Sequence, residues 1–243
     1  TVSVTGDGFQ EEREMAKQVW KAGNMVYPLP AVMVSTADKE GNTNIFTVAW
    51  TGTVCTNPAM VYISVRPERY SYHMIEESGE FVINLTTNDL TFATDYCGVK
   101  SGREVDKFKE MHLTPCESKT IAAPGIAESP VSIECKVKQI IELGSHDMFL
   151  AEVTAVSVNP KYMDEKGKFE LNKTGLLAYS HGEYLGLGKK IGTFGYSVRK
   201  KKTVDKRTAK KITTKNESRS KKSPEKRTVN KNATFRKKGK AKK

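Results

Sequence analysis

The sequence predicts a mainly β fold with inserted helices, an antiparallel sheet closed into a small barrel. Three observations point there. Between residues 31 and 66, runs rich in β-branched and aromatic residues follow one another at hairpin spacing. Two longer runs, 131–143 and 147–158, are separated only by a Gly-Ser-His turn. The helical segments are inserted between strands rather than alternating with them, which argues against a βαβ fold.

Residues 10–22 (QEEREMAKQVWKA) place Met15, Val19 and Trp20 at helical spacing, so a short amphipathic helix is expected there. AVMVSTA (31–37) reads as a strand, and DKEGN (38–42) as a turn with Gly41 free to take positive φ. TNIFTVAWTGTV (43–54) alternates and AMVYISV (59–65) is a third run. Connections at 38–42 and 55–59 join the three into a meander. SYHMIEES (71–78) reads as a helix ending at Gly79, and EFVINL (80–85) as a strand. NDLTFATDYCG (88–98) reads as a helix with Asn88 as N-cap and Gly98 as stop. The long runs VSIECKVKQIIEL and DMFLAEVTAVSV bring the strand count to about six.

Charge divides the chain. Arg199 to the end holds 21 Lys+Arg and 3 Asp+Glu, a net +18 in a chain of net +12, so residues 1–198 carry −6. A domain over 1–198 and a basic tail over 199–243 are expected. The tail has too few apolar residues to offset its ordering entropy and is expected to be disordered. Such a tail, with Ser223-Pro224 among cations, is a candidate for weak nucleic-acid or other polyanion binding by counterion release.

Cys55, Cys97, Cys116 and Cys135 form no C-x-x-C pair, and the four histidines are scattered. Reduced, mostly buried thiols and no metal site are expected. No apolar stretch reaches the roughly 18 residues of a membrane span, and no signal-peptide pattern is visible; a cytoplasmic location is the expectation.

Several motifs invite chemistry. GLGKKIGTFG (186–195) has neither the G-x-G-x-x-G nor the P-loop spacing and reads as a glycine-rich turn. AYSHG (178–182) lacks the first glycine of a nucleophile elbow, and no histidine beyond the adjacent His181 follows Ser180. VRPERYSYHM (65–74) sets Arg66 and Arg69 around a turn with Ser71 where a helix begins. That is either a phosphate site or a solvated arginine turn with Ser71 as cap. In TNIFTVAW, Asn44, Phe46, Val48 and Trp50 share parity and one face if no bulge intervenes, which suits either a pocket for a flat heterocycle or plain core. His146, in LGSHDMFLAEV, is a turn residue that the composition alone gives no further role.

These stretches occur in one order. With DKF (106–108), SPVSIECKVKQIIELGSHDMFLAEV and the closing LGKKIGTFGYSVRK, the chain resembles over residues 10–200 the flavin reductase-like, FMN-binding split-barrel family, and within it the flavoredoxin subgroup. The resemblance implies a six-stranded antiparallel Greek-key split barrel and a homodimer with non-covalent FMN near its interface. It implies flavin contacts at Asn44, Trp50, Ser71, Lys107, His146 and Tyr179, with Arg66 and Arg69 as candidates for the phosphate. Ser71 keeps the hydroxyl of the family's frequent Thr, and Tyr179 keeps the ring of its frequent Phe. The turn is Gly-Ser-His where many relatives have Gly-Asp-His, and Ala151 stands at a frequent glycine. The implied activity passes electrons from NAD(P)H or a protein donor through FMN to free flavin or a carrier. No protein general base is required, so no catalytic residue is assigned. The rival is a non-enzymatic flavin- or ligand-binding module with a polyanion-binding tail.

Overall fold

The computed structural model describes residues 17–199. The basic tail from residue 200 and most of the expected N-terminal helix lie outside them. Where that helix would continue, residues 17–22, the chain is not helical, and Val19 and Trp20 are 98% and 75% exposed. Short helices are marginal in water unless their apolar face packs, and among the described residues nothing covers it.

The strands are β1 (Leu29–Pro30), β2 (Val32–Ala37), β3 (Thr43–Val48), β4 (Thr51–Cys55), β5 (Met60–Val65), β6 (Glu80–Leu85), β7 (Pro115–Cys116), β8 (Gly125–Ile126), β9 (Val131–Glu142), β10 (Asp147–Val158), β11 (Leu177–Ser180) and β12 (Glu183–Gly186). The helices are α1 (Tyr70–Ser78), α2 (Thr91–Val99) and α3 (Lys107–Glu110). Seven strands make the main sheet in the order β3-β2-β6-β9-β10-β5-β4, all antiparallel, and β1-β11-β12 make a second, smaller one.

The middle run of the expected meander is two strands. It breaks at Ala49-Trp50, and β3 pairs with β2 while β4 pairs with β5. Consecutive strands therefore occupy opposite edges of the sheet. Laid flat at ordinary spacing, those edges would be about 29 Å apart, whereas three residue steps reach only about 11 Å. The sheet has to roll, and the kinked β3–β4 counts as one of six barrel strands. Irregularities in the β9–β10 register at Leu150/Ala151 and Val153/Ala155 let those 12-residue strands bend with it. The rolled antiparallel sheet is the split barrel expected.

Alternate residues face inward. Val61, Ile63 and Val65 from β5, Phe81 and Ile83 from β6, and Phe149 and Ala151 from β10 form one core with Tyr72 and Ile75 of α1. Met33 and Ile45 face the other way and are covered by Leu90, Ala93, Cys97, Phe108 and Ile126. Both faces of β2 are thus buried, which is why its sequence does not alternate.

Gly79 ends α1 in the left-handed region at φ 69°, as expected. The 88–98 segment differs. Asn88 opens a 3₁₀ turn (Asn88–Leu90) with Thr87 as its N-cap, and Gly98 lies inside α2. Gly98 serves close packing: a Cβ there would stand 3.2 Å from Thr47 of β3. AYSHG forms β11 and a hairpin turn in which His181 and Gly182 both have positive φ. Residues 187–193 form no regular element. All four cysteines are free; Cys97 and Cys135 are buried, Cys55 half-buried and Cys116 exposed. Among the described residues no helix is long and apolar enough to cross a membrane, and no group of three His, Cys, Asp or Glu side chains could hold a metal.

The chain divides into units Thr1–Lys189 and Lys190–Lys243. In the described part of the second, Gly195 turns the chain at φ 76° into a short 3₁₀ turn (Tyr196–Val198).

Asn84 is the polar hub of the first unit. Its Nδ2 donates to the Met33 carbonyl at 3.1 Å and Ser35 Oγ at 2.9 Å, and its Oδ1 accepts from Ile126 N at 3.0 Å and Ser132 Oγ at 2.7 Å. Asn84→Ala removes all four bonds at a buried position, and is expected to lower the unfolding free energy by about 3 kcal/mol. Urea denaturation measures this; a loss under about 1 kcal/mol would show that the network relaxes without it.

Candidate functional site

Rolling the sheet leaves a cavity of about 630 Å³ along β3, the 49–50 bend and the start of α1. All eight residues singled out in the sequence line it: Asn44, Trp50, Arg66, Arg69, Ser71, Lys107, His146 and Tyr179. They come from five separate stretches of chain.

Asn44 lies on β3 and is buried; its Nδ2 donates to Ser71 Oγ at 2.7 Å. Ser71 is not the cap of α1. Arg69 occupies that position without a side-chain cap bond, and no acidic residue stands in the first turn. The positive end of the helix thus carries no carboxylate of its own beside a cavity lined by Tyr70 and Ser71.

Trp50 does not share the buried face of Phe46 and Val48, as parity had implied. The bend at 49–50 turns it out to 40% exposure, and its ring meets His146 with centroids 5.6 Å apart. His146 closes the four-residue β9–β10 loop, where Leu143 N donates to the His146 carbonyl and Gly144 sits at φ 99°. Burial first, then the nearby Arg66 guanidinium, hold its imidazole below the ordinary histidine range, so the ring is neutral at neutral pH. Strand alternation sends the next residue, Asp147, inward, where it accepts from Tyr72 Oη at 2.6 Å. That bond, with burial and charge adding, pushes the Tyr72 phenol up to about 12. Tyr179, on β11, lies between Tyr27 and Tyr184 at 6.3 and 5.8 Å.

Lys107 opens α3 behind its N-cap Asp106 and is 4% exposed. Its Nζ donates to the carbonyls of Ile45 at 2.7 Å and Cys97 at 2.8 Å, tying α3 to β3 and α2. Burial lowers its ammonium to about 8; the Cys97 side chain opposes the fall and Arg69 adds to it.

Sequence reading missed the loop at 100–103. Lys100, Ser101, Gly102 and Arg103 all line the cavity, as do Asp95 and Tyr184. Arg103 donates to the Glu68 carbonyl at 3.4 Å and lies 5.4 Å over the Tyr70 ring. Five cations (Arg66, Arg69, Lys100, Arg103, Lys107) therefore line a cavity with two carboxylates, Glu68 and Asp95. A Ser-Gly pair between cations was the available signal.

The first unit matches the flavin reductase like domain over residues 24–188. The chain belongs to the flavin reductase-like family. A flavoredoxin of Desulfovibrio vulgaris (Miyazaki F) superposes with a TM-score of 0.70 at 30% identity, covering 76% of this chain and 100% of that one. A flavoredoxin from Methanosarcina acetivorans does so at 0.67 and 26%, with 76% and 100% covered. An uncharacterized protein of Archaeoglobus fulgidus is 29% identical over 170 residues, 70% of this chain and 93% of that one. Membership in the flavin reductase-like family supports a flavin-related oxidoreductase role and a flavin as the ligand class.

Gly102 permits the site to close. A Cβ there would stand 2.6 Å from both Asn44 Cγ and Tyr70 Cδ1. Gly102→Ala is expected to push the loop off Asn44 and cost about 1–3 kcal/mol in urea unfolding. Gly188→Ala, with open space around it, should leave stability unchanged. Equal behaviour of the two variants would show that the loop adapts freely.

Proposed function

We propose that the protein is an FMN-dependent oxidoreductase of the flavin reductase and flavoredoxin type. It takes electrons from NAD(P)H or a protein donor and passes them to free flavin or an electron carrier. The observation that carries this reading is convergence: eight residues scattered over more than 130 positions line one cavity whose chemistry suits FMN.

The fit follows from the donor set. Trp50 and Tyr179 supply flat apolar walls, and Asn44 and Ser71 supply a paired amide and hydroxyl. Arg66, Arg69, Lys100 and Arg103 beside the α1 N-terminus suit a phosphate. Bound FMN supplies the redox chemistry as an acceptor and donor of an electron pair. Lys107 places a buried amine where negative charge would develop, and His146 packs on Trp50 at the edge of the cavity. The protein's part is to bind, orient, exclude water and set the field. No side chain needs to abstract a proton from the nicotinamide.

We further propose that the domain assembles as a homodimer, in line with the exposed apolar Phe92, Val99, Leu185 and Leu187. The basic segment 199–243, outside the 24–188 match, is proposed as a polyanion-binding extension that leaves the flavin chemistry unchanged.

The deciding experiment is the visible spectrum of the purified protein. Oxidised-flavin absorbance that bleaches on anaerobic addition of NADH or NADPH is the expected outcome. Bound flavin that neither nucleotide reduces points to a protein donor or a non-enzymatic module, and a colourless protein that takes up no FMN removes the assignment. Trp50→Ala and His146→Ala should each weaken FMN binding about tenfold, about 1.4 kcal/mol, by fluorescence titration. Unchanged affinity in both would remove the site while leaving the fold.

The tail has its own test. A chain ending at Arg199 should lose low-salt RNA and DNA binding that the full chain shows, with a steep salt dependence in the latter. Equal binding by both would place the contact in the folded domain.

A further inference from the structure

Lys107 is unusual among the cations of the cavity. Arg66 pairs with Glu68 at 3.6 Å, with both side chains more than half exposed, whereas Lys107 is buried and has no carboxylate partner among the described residues. Its amine nitrogen has four tetrahedral directions. One is the bond to Cε, and two point at the carbonyls of Ile45 and Cys97. No further protein acceptor engages it among the described residues, and the residue lines the cavity.

A neutral amine has two hydrogens, and the two carbonyls take both, so its lone pair occupies the fourth direction. A protonated amine keeps the same two bonds and presents a third N–H there. The group can exchange a proton without breaking either staple.

We propose that Lys107 is the proton-exchanging group of the flavin cavity: neutral beside the oxidised ring, it takes one proton from solvent when the ring gains two electrons and returns it when they leave. The inference rests on the flavin reading above and deepens it. The balance is complete. Two electrons and one proton, formally a hydride, come from a reduced nicotinamide. A second proton comes from water and ends on Nζ. The negative charge gained by the ring is matched by the positive charge gained by the amine, so the net charge of the site does not change. Reoxidation reverses both transfers.

The surroundings set the range of pH over which this operates. Burial lowers the ammonium to about 8, and Arg69 pushes the same way. A flat ring bound in the cavity would exclude water from the amine and lower it further, while added electrons would raise it. Facing groups are few. β3 contributes no titratable side chain. α2 contributes Cys97, whose thiol burial pushes up to about 11, and Asp95. Arg66, Glu68, Arg69, Lys100, Arg103 and His146 stand on the same cavity wall, and α3 carries Lys109 and Glu110 at its exposed side behind its N-cap Asp106.

The test is the midpoint potential of the FMN-loaded protein between about pH 6 and about pH 10. Where Lys107 stays charged, one proton accompanies two electrons. The reduction equilibrium then changes tenfold per pH unit, about 30 mV. Where it is neutral only in the oxidised state, two protons follow, a hundredfold per unit, about 60 mV. The expected trace steepens as pH rises past a break at or below about pH 8. Ionisation of the reduced ring would bend the trace the other way. Lys107→Met should show the shallow slope throughout. That variant also unpairs two carbonyls and can lose its flavin, so proton uptake by the unmutated protein, reduced by a mediator that carries electrons without protons, is counted independently with an indicator dye in weak buffer. Two protons per flavin reduced above the break and one below it are expected. One proton at every pH, or a break that survives Lys107→Met, overturns the inference while the flavin reading stands. A protein that retains no FMN removes both, and does so before any titration begins.

Discussion

Two residues, Ala49 and Trp50, join opposite edges of a seven-stranded sheet. The short connection allows only a rolled sheet, and much of the site follows from it. Thr51 N bonds back to the Ala49 carbonyl, and the Trp50 carbonyl accepts from Ser64 N, so the chain is already paired with β5 as it leaves the bend. The turn that closes the barrel thus fixes Trp50 between two sheet edges, held by its backbone with its ring left free to face the cavity. The β9–β10 hairpin, bent at its register shifts, brings its loop to the same place, and His146 meets the indole there.

Helices complete the enclosure where small residues admit them. Gly98 lets α2 lie against Thr47, and Gly102 lets the following loop lie against Asn44 and Tyr70. Arg69 reaches across to the Gly98 carbonyl at 3.1 Å, and Lys107 takes the carbonyls of Ile45 and Cys97. Cationic side chains therefore satisfy backbone acceptors around the cavity, where a purely structural design would use neutral donors. Basic groups outnumber the two carboxylates on the cavity wall, and the resulting positive field favours an anionic ligand. The two linked demands, closing backbone and attracting charge, are met by the same atoms.

The strand pattern, the helix at 71–78 with its Gly79 stop and the long hairpin were legible because each depends on local periodicity and turn chemistry. What the sequence hid depends on distant partners. An alternating run from 43 to 54 gives no sign of where it changes partners, so the bend at 49–50 and the outward turn of Trp50 could not be read. Gly98 looked like a helix stop because a glycine inside a helix is costly; the reason it is kept, Thr47, lies 51 positions away. The helix expected over 10–22 shows the reverse error at residues 17–22, where spacing was favourable and no described residue packs against Val19 and Trp20. Site residues were legible mostly through resemblance. Taken singly, Asn44, Trp50 and Ser71 each admitted a structural reading, and the loop bearing Lys100 and Arg103 carried no signal strong enough to separate it from a solvated turn.

His146 and Asp147 show how the fold sorts charge around such a site. They are neighbours in sequence, but the strand begins between them, and alternation sends one to the cavity and the other to the core. The carboxylate is taken by Tyr72, which itself packs edge-on against Phe149. A negative group next to the aromatic wall would weaken anion binding and resist negative charge building on a bound ring. Placing it one residue away, behind the strand and bonded to a phenol, keeps its structural value without that cost. Lys107 is the counterpart, buried and bonded but turned toward the cavity. The site's field is thus set less by how many charges surround it than by which of them the backbone lets face inward.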